Sequence, residues 1–307
     1  MNWRYRANAT LEGLTGYTLT RRLRKEPPKP PPPKPPLAMQ RLPGDTVRQP
    51  IDPGHDRLLR EPVFLLSSVR SGSTLLRVIL NSHSKVHAPI ETHFRRMTVG
   101  LGTEPVRQAM EALGHTHSDI EHMLWDRLLH RELVRSGKPI IAEKTPSNVF
   151  AWRRIATCWP DARFIFLLRH PMSIVQSWHE ADPVKRPMEQ AVPRTLSYMT
   201  YLEEARTHLE GLTLRYEELV AEPEAQLRRL CLFLGVEFET AMLQYGKQDH
   251  GAFVKGIGDW RDKIRSGTVV AGRPCPRPTR SPPSCTTSAG SGTISGEARL
   301  TGVVDWL

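Results

Sequence analysis

Residues 61–266 are predicted to form one α/β domain, a parallel sheet covered by helices on both faces. Two observations carry this prediction. The apolar runs VFLLS (63–67), PIIAE (139–143) and RFIFLL (163–168) are short and continuous, the pattern of strands buried on both sides, and LTLRY (212–216) reads as a further strand. Segments with helical spacing of apolar residues lie between them, so strand and helix alternate along the chain. At 307 residues the chain is long enough to bury such a core.

VFLLS passes through a Ser-Gly turn into a helix over STLLRVILNS (73–82), and a short strand follows in KVHA (85–88). PIIAE leads into a helix through SNVFAWRRIATCW (147–159). After RFIFLL a helix opens at Pro171 in PMSIVQSW, where the fixed φ of proline suits a first turn. LTLRY precedes AQLRRLCLFLG (225–235), a helix that Gly235 can stop in the left-handed conformation. Residues 118–135 and 188–210 read as long helical insertions, and no internal repeat is visible.

The flanks differ in kind. Residues 1–60 read as a basic N-terminal arm, with a short helix expected over LEGLTGYTLTRRL (11–23). In that arm PPKPPPPKPP (27–36) has eight prolines in ten positions, an extended spacer that cannot pack as helix or sheet. Residues 267–307, rich in Pro, Ser, Thr, Gly and Arg without periodicity, read as a disordered tail, and the abrupt change suggests an altered C-terminal end.

The net charge of +11 lies mainly in these flanks. Residues 1–60 hold 12 Lys and Arg against 5 Asp and Glu, and residues 266–307 hold 4 against 2. The predicted domain is therefore nearly neutral, which argues against a nucleic-acid-binding core. Cys158, Cys231, Cys275 and Cys285 form no CxxC pair, and His115 and His117 lack partner ligands, so no metal is expected. No apolar run approaches membrane-spanning length, and MNWRYRANAT is not a secretory signal; the expected compartment is the cytoplasm.

Two segments are built to hold anions. In SSVRSGSTLL (67–76) a strand turns into a helix start, which presents unpaired N–H groups and the positive end of the dipole. Gly72 lets the backbone approach a ligand, Ser71, Ser73 and Thr74 add hydroxyls, and Arg70 adds a fixed positive charge. The GxxxxGK[ST] pattern of nucleotide triphosphatases is absent, which points to an anionic donor used without a metal. In FIFLLRHPMSIVQSW (164–178), Arg169 ends a strand at the carboxyl edge of the sheet, where open α/β folds bind ligands, and Ser177 follows inside the next helix.

SVRSGSTLL resembles the 5′-phosphosulfate loop of the sulfotransferases that use 3′-phosphoadenosine 5′-phosphosulfate (PAPS), in the branch with Arg before Ser-Gly. That branch includes tyrosylprotein, carbohydrate and many bacterial sulfotransferases. The strand–Arg–x–Pro–x5–Ser–helix order of Arg169 and Ser177 is similar to the family's 3′-phosphate element, and RYEELVAEP (215–223) to a segment whose tyrosine, here Tyr216, lies near the nucleotide. KGIGDWR (255–261) matches the family's closing glycine-rich segment only in part, at Lys255 and Gly256.

The resemblance implies a three-layer, P-loop-NTPase-like sheet, PAPS as co-substrate, and transfer of a sulfuryl group to a hydroxyl of a small molecule, carbohydrate or lipid. It implies that Arg70 stabilises developing charge and that Lys144, in AEKTPSN (142–148), contacts the sulfate. It also implies a glutamate base, carried over to Glu91 in APIETHF (88–94), with His93 as the rival. A small-molecule kinase on the same architecture and an inactive PAPS-fold binding protein are the competing readings.

Overall fold

A computed structural model of the chain describes residues 49–247 and residue 250. The helix expected at 11–23, the polyproline run, Lys255, Gly256, Cys275, Cys285 and the tail lie outside these residues.

Five strands form one parallel sheet: β1 (Val63–Ser67), β2 (Val86–His87), β3 (Ile140–Glu143), β4 (Arg163–Leu168) and β5 (Gly211–Arg215). Their order across the sheet is β2-β3-β1-β4-β5, with β1 central and paired residue for residue with β4 from Val63↔Arg163 to Ser67↔Leu167. From β1 the chain goes to the edge strand β2, returns to β3 beside β1, then crosses to β4 and β5 on the other side. At such a switch point the loops after the strands diverge and leave a crevice. Arg70, Lys144, Arg169 and Tyr216 all emerge within three residues of the carboxyl ends of β1, β3, β4 and β5.

Both faces of the sheet are buried, as continuous apolar strands require. Phe64, Leu66 and Phe166 enter one core with Trp125, Trp159 and Leu202. Their neighbours Val63, Leu65, Ile165 and Leu167 enter the other with Leu76, Ile79, Leu227 and Leu230. The covering helices are α1 (Ser73–Asn81), α2 (Glu104–Ala112), α3 (His117–Ser136), α4 (Trp152–Cys158), α5 (Pro171–Ala181), α6 (Met188–His208), α7 (Tyr216–Ala221) and α8 (Pro223–Leu234). Gly235 ends α8 at φ 72°, the left-handed cap that its sequence position predicts.

Three details differ from expectation. The segment Pro146–Ala151 is a 3₁₀ turn and α4 starts only at Trp152, because the Asn148 side chain is drawn back to the end of β3. Tyr216 opens α7 rather than ending β5. Helix α2 was not anticipated, although Val106, Ala109, Met110 and Leu113 follow helical spacing; it buries none of its residues.

Residues 49–60, assigned to the arm, include a turn at Pro53–Asp56 followed by packed chain. Leu59 is fully buried, Leu58 and Leu59 donate their N–H groups to Asp126 at 2.8 and 3.2 Å, and Arg57 Nε donates to Cys158 O at 2.8 Å.

The short edge strand β2 is held by one side chain. Lys138 Nζ donates to the carbonyls of Asn81, His83 and Val86, each at 2.9 Å. Lys138→Met removes these three bonds, leaving His83 O with Val86 N at 3.3 Å, and is expected to lower stability by about 2 kcal/mol, read as a shift in the urea midpoint at unchanged slope.

Candidate active site

The turn between β1 and α1 holds two left-handed residues in sequence proximity, Arg70 at φ 63° and Gly72 at φ 90°. Gly72 occupies the N-cap of α1 and supplies no side-chain acceptor, so the first-turn N–H groups face the crevice without a side-chain cap. A Cβ on Gly72 would lie 2.3 Å from Tyr216 Cδ2, so only glycine fits against that ring. Ser73 and Thr74 form the first turn and are nearly buried. Ser71 is turned inward: its hydroxyl donates to Ser68 O at 2.7 Å and braces the turn.

The second anion element meets the first directly. Arg70 Nε donates to Ser177 Oγ at 3.2 Å, and Arg169 Nη1 donates to Arg70 O at 2.7 Å. The Arg169 guanidinium also stacks over Tyr216, 4.3 Å from the ring centroid. Arg169 Nε is buried with no hydrogen-bond partner among the described residues. Thus Arg70, Gly72, Arg169, Ser177 and Tyr216 form one connected group at the carboxyl edge of β1, β4 and β5.

Across the turn stands a buried ion pair. Lys144 is 1% exposed, its Nζ contacts Glu91 Oε1, and it donates to Thr74 Oγ1 at 3.4 Å. Burial pushes the Lys144 ammonium toward the neutral form, and the Glu91 carboxylate opposes that shift. His93, at φ 50°, approaches the other Glu91 oxygen at 3.4 Å and is 41% exposed at its side chain. Glu91 therefore has a buried lysine on one side and a histidine near solvent on the other. Arg77, one turn further along α1, donates to Ala88 O at 3.0 Å, and burial lowers it to about 10, still charged at neutral pH.

Beyond His93 lies a wall of cations and aromatic rings. Arg95 Nε donates to Ser147 Oγ at 3.1 Å, and its guanidinium lies 5.9 Å from the Phe150 ring. Phe150 packs against Tyr198 at 4.5 Å between centroids, and Arg194 lies 5.9 Å from the rings of both Tyr198 and Trp178. Sequence reasoning missed this wall, whose members come from the turn after Glu91, the 3₁₀ turn before α4, α5 and α6. It also missed Glu143, although a carboxylate closing an apolar strand must find donors, and Thr145 and Asn148 lie two and five residues on. Among the described residues no group of His, Cys, Asp and Glu is placed to hold a metal, and no helix is long and apolar enough to cross a membrane.

A parallel sheet with an uncapped helix start at its central strand and an arginine–serine element beside it defines a fold class, and sequence comparison names it. The model of the sulfotransferase family matches residues 62–240, and the chain belongs to that family.

Among individual proteins, it is 25% identical over 234 residues to nodulation protein NoeE of Sinorhizobium fredii (strain NBRC 101917 / NGR234), covering 64% of this chain and 55% of that protein. It is 26% identical over 204 residues to protein-tyrosine sulfotransferase 1 of Danio rerio, covering 60% and 55% respectively. It also aligns with the sulfotransferase domain from the curacin biosynthetic pathway at 24% identity and a TM-score of 0.48, covering 62% of this chain and 80% of that one. The chain spans about half the length of the two curated relatives named here.

Proposed function

We propose that this protein transfers the sulfuryl group of PAPS to an acceptor hydroxyl. The observation that carries the reading is the Arg70–Ser177 contact at 3.2 Å, which joins the two anion-binding elements at one edge of the sheet. A single donor with a phosphosulfate at one end and a 3′-phosphate at the other fits such a pair. The phosphosulfate lies against the α1 N-terminus and Arg70, where N–H groups and a fixed cation stabilise anionic oxygens. The 3′-phosphate lies against Arg169 and Ser177, and Tyr216, on which the Arg169 guanidinium stacks, borders the nucleotide.

Transfer needs an in-line acceptor, a base and cations over the developing charge. Glu91 takes the hydroxyl proton as the acceptor oxygen bonds to sulfur and the bond from sulfur to the bridging oxygen breaks. Adenosine 3′,5′-bisphosphate (PAP) leaves with the electron pair. Lys144, between Glu91 and Thr74, and Arg70 neutralise charge on the sulfuryl and leaving oxygens. The acceptor enters past His93 along the wall of Arg95, Phe150 and Tyr198, and it carries a hydroxyl on a small molecule, carbohydrate or lipid.

Incubation of the protein with labelled PAPS and a panel of hydroxyl acceptors, read by mass spectrometry, tests the reading. A sulfate-sized gain on an acceptor supports it. PAP binding without any transfer favours an inactive binding protein, and transfer of phosphate from ATP a kinase; either overturns it. Arg169→Ala is expected to weaken PAP binding by about 10- to 100-fold in calorimetry, the loss for a charge-assisted contact. Unchanged affinity removes Arg169 from the donor site.

A further inference from the structure

Glu143 closes β3 one residue before Lys144, is 1% exposed, and carries a carboxylate with no cation bonded to it among the described residues. Such a group is costly to bury unless donors surround it. Four do. Its Oε1 accepts from Thr145 Oγ1 at 2.6 Å, Thr92 Oγ1 at 2.8 Å and Thr92 N at 3.3 Å, and its Oε2 accepts from Asn148 Nδ2 at 2.5 Å. Thr145 Oγ1 in turn accepts from His93 N at 3.3 Å. Two of these contacts tie down the backbone of Thr92 and His93, the two residues after Glu91.

The geometry has a direct consequence. Successive side chains on a strand end point to opposite sides, so Glu143 and Lys144 leave β3 in different directions. Lys144 reaches Glu91 from within the crevice, while Glu143 grips the loop that carries Glu91 from behind. Burial raises the proton affinity of the Glu143 carboxyl, and the threonine donors oppose that. The Thr92 backbone N–H can only donate, which fits an oxygen that accepts.

We propose that Glu143 is a positioning residue: through Thr92 and Thr145 it fixes the Glu91–His93 loop, so that Glu91 meets Lys144 and the acceptor hydroxyl. This rests on the reading of Glu91 as base. Glutamine at this position has the same shape but only one acceptor oxygen, so its amide nitrogen replaces one of the two oxygens on which the Thr92, Thr145 and Asn148 donors converge. Glu143→Gln is expected to lower kcat on the order of 100-fold, as displacement of a reacting group by about 1 Å does, with KM for PAPS and affinity for PAP unchanged. Thr92 is half-buried in the loop that carries Glu91, and valine matches it in shape, so its substitution leaves the core in place. Thr92→Val is expected to lower kcat roughly tenfold, and Thr92→Ser, which keeps the hydroxyl, to retain wild-type kcat.

The experiment measures kcat, KM for PAPS and PAP affinity for the wild type and the three variants. A fall in kcat alone for Glu143→Gln and Thr92→Val, with rescue by Thr92→Ser, supports the proposal. Equal kcat in Thr92→Val and the wild type, or parallel losses of kcat and PAP affinity, overturns it. A wild type without turnover defeats the sulfuryl-transfer reading instead. Positioning is then read from a crystal structure of Thr92→Val: Glu91 displaced from Lys144 supports it, and Glu91 unmoved overturns it.

Discussion

Glu91→Gln is expected to lower kcat about 10³-fold, within the range that a positioned general base supplies. The substitution preserves shape and removes the carboxylate proposed to accept the hydroxyl proton. Lys144 then lies buried without its counter-ion, beside Thr74 at 3.4 Å, and part of the loss comes from that change in field. On the proposed reading Glu91 reaches the donor only through Lys144, so PAP affinity by calorimetry is expected to change far less than kcat. His93→Asn provides the contrast. His93 is 41% exposed at its side chain and 3.4 Å from Glu91, and its replacement is expected to have a much smaller effect. The opposite ranking, with His93→Asn inactive and Glu91→Gln active, transfers the role of base to His93.

Gly72→Ala is the second large effect, and it acts on the donor rather than the acceptor. A methyl group here would stand 2.3 and 2.5 Å from Tyr216 Cδ2 and Cε2, on a backbone at φ 90°. Neither atom is the free end of a flexible chain, so the ring itself has to move, and with it the cation stacked on its far side. Overpacking of this kind costs about 1–3 kcal/mol, and PAP affinity is expected to fall roughly 30-fold as Arg169 loses its platform. A double-mutant cycle identifies the cause. Tyr216→Ala removes the obstructing ring, so adding Gly72→Ala to it is expected to cost much less than Gly72→Ala alone. Additive losses in calorimetry mean that the left-handed backbone, rather than the ring, sets the requirement for glycine.

The parts of this fold and site that were legible in the sequence are those whose physics is local. Three of the strands, β1, β3 and β4, are nearly continuous apolar runs, because each is covered on both faces. The turn around Arg70 and the Arg169–Ser177 element are contiguous motifs, and the structure brings them into contact at 3.2 Å. Glu91, Lys144 and Thr74, read from three separate segments, also meet. What escaped was assembled by tertiary structure. Arg95, Phe150 and Tyr198 are widely separated in sequence and share no spacing. Asp126 holds Leu58 and Leu59 to the core across 68 and 67 residues, which made the packed end of the arm invisible to composition. Ser71 looked like an anion ligand by residue type, yet its hydroxyl is bound to Ser68 O.

The Arg169 hydrogen bond to the carbonyl of Arg70, at 2.7 Å, means that one side chain serves both ends of the cleft. Arg70 has a backbone conformation that few residues other than glycine adopt, and this bond helps hold it there. On the proposed reading, a truncated donor lacking its 3′ charge would forfeit an ionic contact and also meet a slacker cradle for its reactive end. Selectivity for the complete nucleotide is thereby built into the scaffold, and neither half of the cleft can drift without the other.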